Sequence, residues 1–472
     1  MLGRVVLVAT AFTLIFAGCV TPAADVDAAS AADLDALEAS RVPPPTEDLS
    51  SAIVSDHGAP YLHALPTLHS GSYGMELVGY NPLSRMGEVD PLAANSGHGA
   101  VTLHGHIACV SGFAGTGGLG GAILVDIEDP TDPKVLSSIP TTSIQARCQF
   151  TDDGKYLMLA SYGGVTPTLP LPAPFHDVVS WGISFYDITD PTSPVFLFHD
   201  AQGPSVGDPG AVLGGPYHNV DSEVVDNVTY VFQTYYCNVL KVNQDASGLE
   251  IVATLEHCNH DFWTGIHPIT GMRVLVTGTN AAGTAFIDIT DPSAPVTIGV
   301  YEEEEPGFEG WHRQWPLAEL VEGKALIVVA GEQCGNGKSL PYHVLDWSDP
   351  AAPARLGSWI IPGEPAITGA GPHLCDMNSH EFNVHKGYVA SGNYHAGIWV
   401  FDVGTPARSL EPVTIGYYLP DQDPRMHGGT RNTPFAWSPD VWGAYFDDRG
   451  YVVAADWYSG FYVLKVPGLT QE

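Results

Sequence analysis

The sequence predicts an all-β chain, folded as a seven-bladed β-propeller whose last blade is closed by a strand from near the N-terminus. Three observations predict it. A ten-residue strand-and-turn motif recurs, as Gly-Ala-Ile-Leu-Val-Asp-Ile-Glu-Asp-Pro at 121–130, Gly-Ile-Ser-Phe-Tyr-Asp-Ile-Thr-Asp-Pro at 182–191 and Gly-Thr-Ala-Phe-Ile-Asp-Ile-Thr-Asp-Pro at 283–292, with degenerate copies at 341–350 and 397–405. Repeats of this size mean stacked sheet modules. The residue at the Asp position of the motif is Asp126, Asp187, Lys241, Asp288, Asp346, Asp402 and Lys465 in turn, which marks seven units. Finally, 52 Gly and 38 Pro with 10% aromatics suit short strands joined by many turns.

Taken from the N-terminus, residues 1–18 read as a signal peptide: Arg4, a short apolar run from Val5 to Phe16, then Ala17-Gly18 before Cys19. The run is too short for a comfortable membrane span. Cys directly after Ala-Gly resembles the lipobox of prokaryotic lipoproteins, which implies lipid on Cys19. Residues 19–55 are rich in Ala, Asp, Glu and Pro and poor in core-forming side chains, so they read as a flexible tether. Residues 56–472 form the propeller domain. Within each unit a strand that often begins at His, as in His218-Asn219-Val220, leads to an apolar strand such as Arg273–Gly278. The motif strand follows, and then a fourth strand such as Pro295–Val300. The last unit stops one strand short, and Gly74–Tyr80 looks like the missing strand. Pairing the two would remove exposed sheet edges. The Asp-Pro turns need no ligand: Asp caps the turn and Pro fixes the next φ.

After Cys19 six Cys remain, an even number in a chain read as exported, so disulfides are expected. Six Cys allow 15 pairings. Position within the repeats favours neighbours: Cys109–Cys148, Cys237–Cys258 and Cys334–Cys375. The net charge of -35 repels nucleic-acid backbones and anionic lipid, which excludes nucleic acid as a partner.

The motif strand with its Asp-Pro turn resembles the LVIVD-repeat family of β-propeller lipoproteins, over roughly residues 74–468. The resemblance implies an extracytoplasmic envelope protein and supplies no catalytic residue. The chain is also distantly similar to the methanethiol oxidase/selenium-binding propellers, in which a metal site is suspected, but no motif carries over residue by residue.

The candidate chemistry lies in histidine. His106, His218, His267, His312 and His380 stand at or just before first strands, which line a propeller's central channel, so they are expected to converge at one mouth of it. A ring of neutral imidazoles suits copper, zinc or iron. Glu381 follows His380, Glu309 and Glu332 occur in the fifth unit, and His257 and His260 sit in the polar stretch Glu256–Asp261. Equally, a His at a strand start can donate to a carbonyl of the next blade and tie the two together. In the loop 420–434, Arg425 and Arg431 are rare positive charges and candidates for binding an anion.

Two functions fit. One is a membrane-anchored, extracytoplasmic propeller acting as a binding or scaffold protein, with an envelope protein, a glycan or a small ligand as partner. The other is a metal-dependent enzyme, an oxidoreductase, with its His cluster at the central channel.

Overall fold

Motif strands made of unbroken apolar runs belong inside a stack of sheets, covered on both faces, and the computed structural model places them there. It describes residues 31–49, 71–83, 97–113, 120–141, 143–164, 182–200, 218–234, 236–279, 283–303, 311–332, 340–363, 379–394, 396–420, 440–457 and 459–471. Helix α1 (Ala31–Ala39) comes first, then β1 (Gly71–Tyr73) and β2 (Glu76–Asn81). Sets of antiparallel strands follow: β3 (Gly97–His104), β4 (Ile107–Phe113), β5 (Gly120–Asp126) and β6 (Lys134–Thr141); then β7 (Ser143–Phe150), β8 (Tyr156–Gly164), β9 (Gly182–Asp187) and β10 (Val195–Asp200). Next are β11 (Val220–Val225), β12 (Val228–Gln233), β13 (Asn238–Val242) and β14 (Leu249–Thr254), and β15 (Phe262–Ile266), β16 (Arg273–Gly278), β17 (Gly283–Asp288) and β18 (Val296–Glu302). The chain ends with β19 (Trp311–Pro316), β20 (Leu326–Gly331), β21 (Tyr342–Asp346) and β22 (Ala354–Trp359); β23 (Glu381–His385), β24 (Tyr388–Gly392), β25 (Ile398–Asp402) and, after α2 (Pro406–Leu410), β26 (Val413–Leu419); and β27 (Val441–Phe446), β28 (Tyr451–Asp456) and β29 (Gly460–Lys465).

The fold is an all-β propeller, but the expectation of seven blades, the last closed by an N-terminal strand, is corrected. The described strands form five hydrogen-bonded sheets: one of nine strands, one of eight and three of four. In the nine-stranded sheet the order is β1-β26-β25-β24-β23-β27-β28-β29-β2. Its two edges are consecutive strands of the chain, so the sheet nearly closes on itself. The N-terminal strand β2 does pair with β29, Glu76 opposite Lys465 and Asn81 opposite Phe461, but as an edge of this larger sheet. Sheets expected to be separate are continuous because strands of neighbouring sets approach closely at two places. β23 pairs with β27 in parallel, Glu381 opposite Gly443 and Phe382 opposite Ala444. A Cβ at Gly392 would lie 2.8 Å from the Gly443 nitrogen, so two glycines make the approach possible. A single pairing, Phe113 opposite Gln145, joins β4 to β7 in the eight-stranded sheet.

Apolar layers lie between neighbouring sets of strands. Met158, Phe185, Val231 and Leu240 share one layer, and Val276, Phe286, Val329 and Trp347 another. On the outside, fourth strands abut the Asp-Pro turns of the next set. A Cβ on Gly79 or Gly299 would run into the carbonyl oxygen of Pro130 or Pro350, and Ser137 donates to that of Pro191 at 2.6 Å. The turns cap themselves: Asp187 accepts from the Thr189 amide at 2.9 Å and Asp190 from the Thr192 amide at 3.0 Å, a pattern repeated at Asp288 and Asp291.

Two disulfides form, Cys109–Cys148 and Cys237–Cys258. Cys334 and Cys375 lie outside the described residues. Residues 31–49 rest on the sheets: Arg41 pairs with buried Asp402 at 2.5 Å, Arg408 joins Asp402 at 2.8 Å to Glu38, and Leu49 is buried beside Leu317 and Val321. Among the described residues no helix is long and apolar enough to cross a membrane.

Candidate metal centre

The inner strands β3, β7, β11, β15, β19, β23 and β27 adjoin in order, and β27 adjoins β3 again, so they surround one central space. Residues at the same point of each strand therefore meet. His218 stands two residues before β11 and His260 two before β15; His312 is the second residue of β19, and His380 immediately precedes β23. Their rings form a row. Centroids are 4.0 Å apart for His218 and His260, 3.8 Å for His260 and His312, and 4.4 Å for His312 and His380.

Two carboxylates flank His312, and each divides its oxygens in the same way. Asp261 Oδ1 lies 3.4 Å from Arg147 and accepts from the Asn219 amide; its Oδ2 lies 3.3 Å from His312 Nδ1 and 3.9 Å from Arg313. Glu332, just beyond β20, accepts the Tyr394 hydroxyl on Oε1 and places Oε2 3.5 Å from His312 Nε2. Beneath them Arg147, from β7, pairs with Glu381, and Glu381 Oε2 accepts from the Tyr445 hydroxyl at 3.0 Å. Arg313 donates to the Phe262 carbonyl at 3.3 Å. A buried guanidinium without partners would cost several kcal/mol. This network supplies the partners and fixes the carboxylates.

Burial dominates the electrostatics. It holds His218 down at about 3, with Arg147 adding to the effect, and holds His260, His312 and His380 well below the ordinary histidine range, with neighbouring imidazoles and Arg147 contributing. Burial pushes Glu332 up to about 7 and raises Asp261. At neutral pH the rings are uncharged, each with one lone pair to offer. The His380 tautomer is set by the Trp442 carbonyl, 2.5 Å from Nδ1. That nitrogen carries the proton, and Nε2 is the acceptor.

His312 is 1% exposed, yet neither of its ring nitrogens has a hydrogen-bond partner among the described residues, and neither does Asp261 Oδ2. Each such atom costs roughly 1–3 kcal/mol. Several together point to a missing partner, and a cation fits. Donor atoms of His260, Asp261 and His312 lie within 4.8 Å of one another, as do those of His312, Glu332 and His380. Bonds of roughly 2.0–2.1 Å place neighbouring donors of a tetrahedral ion roughly 3.3–3.4 Å apart. The 3.3 and 3.5 Å separations at His312 match that edge. His260 and Glu332 keep 16% and 15% exposure, so the centre meets solvent on their side.

The structure thus brings His218, His312 and His380 together and places His106 and His267 elsewhere. Both of the latter follow their first strand, whereas the cluster lies at the strand starts; at roughly 3.3 Å per residue, a five-residue strand separates them by about 16 Å. His267 is buried as a structural tie: Nδ1 accepts from the Thr270 amide at 3.0 Å, and Nε2 donates to the Trp347 carbonyl at 3.0 Å. His106 is exposed in the β3–β4 turn beside Asp126 and Glu128. Cys19, Glu309, Arg425 and Arg431 lie outside the described residues. Sequence reasoning left His260 in a polar stretch and gave Asp261 no role. The available signal was the offset: His260 precedes Phe262 as His218 precedes Val220. Cys258 is held in its disulfide and offers no thiolate.

Fold and site together define an all-β propeller with a buried histidine–carboxylate centre. No family model matches the chain, and no curated relative matches it. Among solved structures it is similar to the periplasmic gluconolactonase PpgL of Pseudomonas aeruginosa (13% identity, 64% of this chain and 80% of that one, TM-score 0.46). It is similar also to Kuenenia stuttgartiensis hydrazine synthase (13%, 79% and 96%, TM-score 0.48) and to Saccharomyces cerevisiae Sqt1 (12%, 77% and 80%, TM-score 0.42). Similarity of this degree carries no function across.

Proposed function

We propose that the protein is a metal-dependent enzyme, an oxidoreductase, whose transition metal is held at the inner-strand histidines. The observation that carries the reading is His312: an uncharged imidazole, buried between two other imidazoles and two carboxylates, with no hydrogen bond at either nitrogen. Imidazole with carboxylate suits copper, zinc or iron, and among the described residues every cysteine is held in a disulfide. Oxidoreduction is favoured by a row of oxidisable rings leading from the centre. Trp442 lies 4.8 Å from His380 and Trp457 lies 4.7 Å from Trp442, both of them half-buried. A purely structural or scaffold role for the histidines accounts for His267 but leaves His312 without a reason to be histidine.

On the same proposal the protein works outside the cytoplasm, held by lipid on Cys19, in the manner of the LVIVD-repeat proteins. The leader-like residues 1–18, the repeated strand with its Asp-Pro turn, and two disulfides support this reading.

Elemental analysis of the purified protein tests the metal. Bound copper, zinc or iron at one or more per chain is expected, and His312→Ala, with unchanged circular dichroism, should lose it. Wild-type protein that carries none of these metals, and takes up none when they are offered, would refute the proposal.

A further inference from the structure

His312 is placed to serve two ions at once. Its Nδ1 faces Asp261 Oδ2 at 3.3 Å on the side of His260, and its Nε2 faces Glu332 Oε2 at 3.5 Å on the side of His380. The two donor groups, His260–Asp261–His312 and His312–Glu332–His380, share this one ring and nothing else. A neutral imidazole has one N–H and one lone pair. Facing two carboxylates, it could satisfy one side only, and here it makes a hydrogen bond to neither. Each carboxylate has tied its other oxygen to the protein, Asp261 to Arg147 and Asn219, Glu332 to Tyr394. The oxygens left over lie beside His312 at opposite ends of the ring, Asp261 Oδ2 standing also 3.9 Å from Arg313.

We propose, on top of the metal reading above, that the centre is dinuclear, with the imidazolate of His312 bridging two transition-metal ions. One ion would be held by His260 and Asp261, the other by Glu332 and His380. The bridge forms when the ring's N–H proton leaves to solvent as the second ion binds. Both ring nitrogens and both carboxylate oxygens then have a partner, and no buried polar atom on this axis is left over. His218, 4.0 Å from His260, stands at the end of the row on the first ion's side. Tyr394 and the Trp442 carbonyl orient the donors of the second ion, Glu332 and His380.

The test uses the purified protein stripped of metal and titrated with copper(II) alone, read by elemental analysis and electron paramagnetic resonance. The expected result is two copper ions per chain, with a low-temperature signal far weaker than two isolated copper(II) ions give, because spins coupled through imidazolate cancel. Glu332→Gln and Asp261→Asn, which keep side-chain shape, should each reduce the stoichiometry from two to one and restore the full signal of a single ion. One copper per chain in the wild type would overturn the bridge and leave the metal-enzyme reading standing. Two ions with the full uncoupled signal would also overturn it, as would two ions retained in both variants. No copper at all would overturn the bridge, and no uptake of zinc or iron either would overturn both.

Discussion

A buried imidazole that stays neutral makes the folded state sensitive to acid. His218 and His98 are held at about 3 and about 4 by burial, against an ordinary value near 6.5, and the other three cluster histidines are lowered too. Between those values and about 6.5 the unfolded chain binds protons that the folded chain refuses, so stability falls as pH drops through that window. Glu332 and Asp221, raised to about 7, work in the other direction: the folded chain keeps their protons up to about pH 7, which favours it at the acid end. The lowered histidines outnumber the raised acids, and every tenfold loss of proton affinity on folding corresponds to about 1.4 kcal/mol. Urea melts of the metal-free protein should show the midpoint falling steadily from pH 7 to pH 4.5, and His218→Asn should flatten the slope. A midpoint that rises on acidification would mean that the imidazoles are not held neutral. At this scale the sequence was legible where a residue kept its offset. His218, His312 and His380 could be placed from their position at first strands. His106 and His267 share the neighbourhood of a first strand but sit at its far end, and only the hairpin geometry separates the two cases.

The strands carry the repeat, and the links between them carry the site. Motif strands and self-capping Asp-Pro turns were legible because local chemistry determines both: apolar runs need cover, and a carboxylate reaches an amide two residues on. The Cys237–Cys258 bond was legible as a pairing of neighbours. Its position has a further effect, since Cys258 is two residues before His260 and Cys237 adjoins β13. The bond therefore pins the short segment that presents His260 and Asp261 to the centre. Replacing both cysteines with alanine should cost roughly 3 kcal/mol of stability. It should also weaken metal binding, whereas the unlinked chain would bind as tightly as wild type if the segment were held by its strand alone. Calorimetric titration with copper beside denaturant melts distinguishes the two outcomes.

At the scale of the molecule the repeat was legible and its grouping was not. Seven units stand in the sequence, but five sheets form, because β23 pairs with β27, where Gly392 and Gly443 let neighbouring sets approach, and β4 pairs with β7. Periodicity does not report such an approach. Nor did any signal mark the docking of Arg41 on Asp402, since the two are 361 positions apart. The edges of the nine-stranded sheet are also where the molecule is most exposed to damage. Deleting residues 71–81 removes the partners of β26 and β29 and bares two strand edges. The shortened protein should melt at a markedly lower temperature and self-associate on light scattering. Unchanged melting would show that the edges need no cover.

The pairing of Glu76 with Lys465 also fixes an order of events in time. The two residues are about 390 positions apart, so the earlier strand has no mate until nearly the whole chain is free to fold. Until the end of the polypeptide emerges, the molecule cannot finish closing. β27 reaches β23 and β3 only then, so the ring of inner strands around the histidine row closes last, and an ion held there is enclosed only in a finished protein.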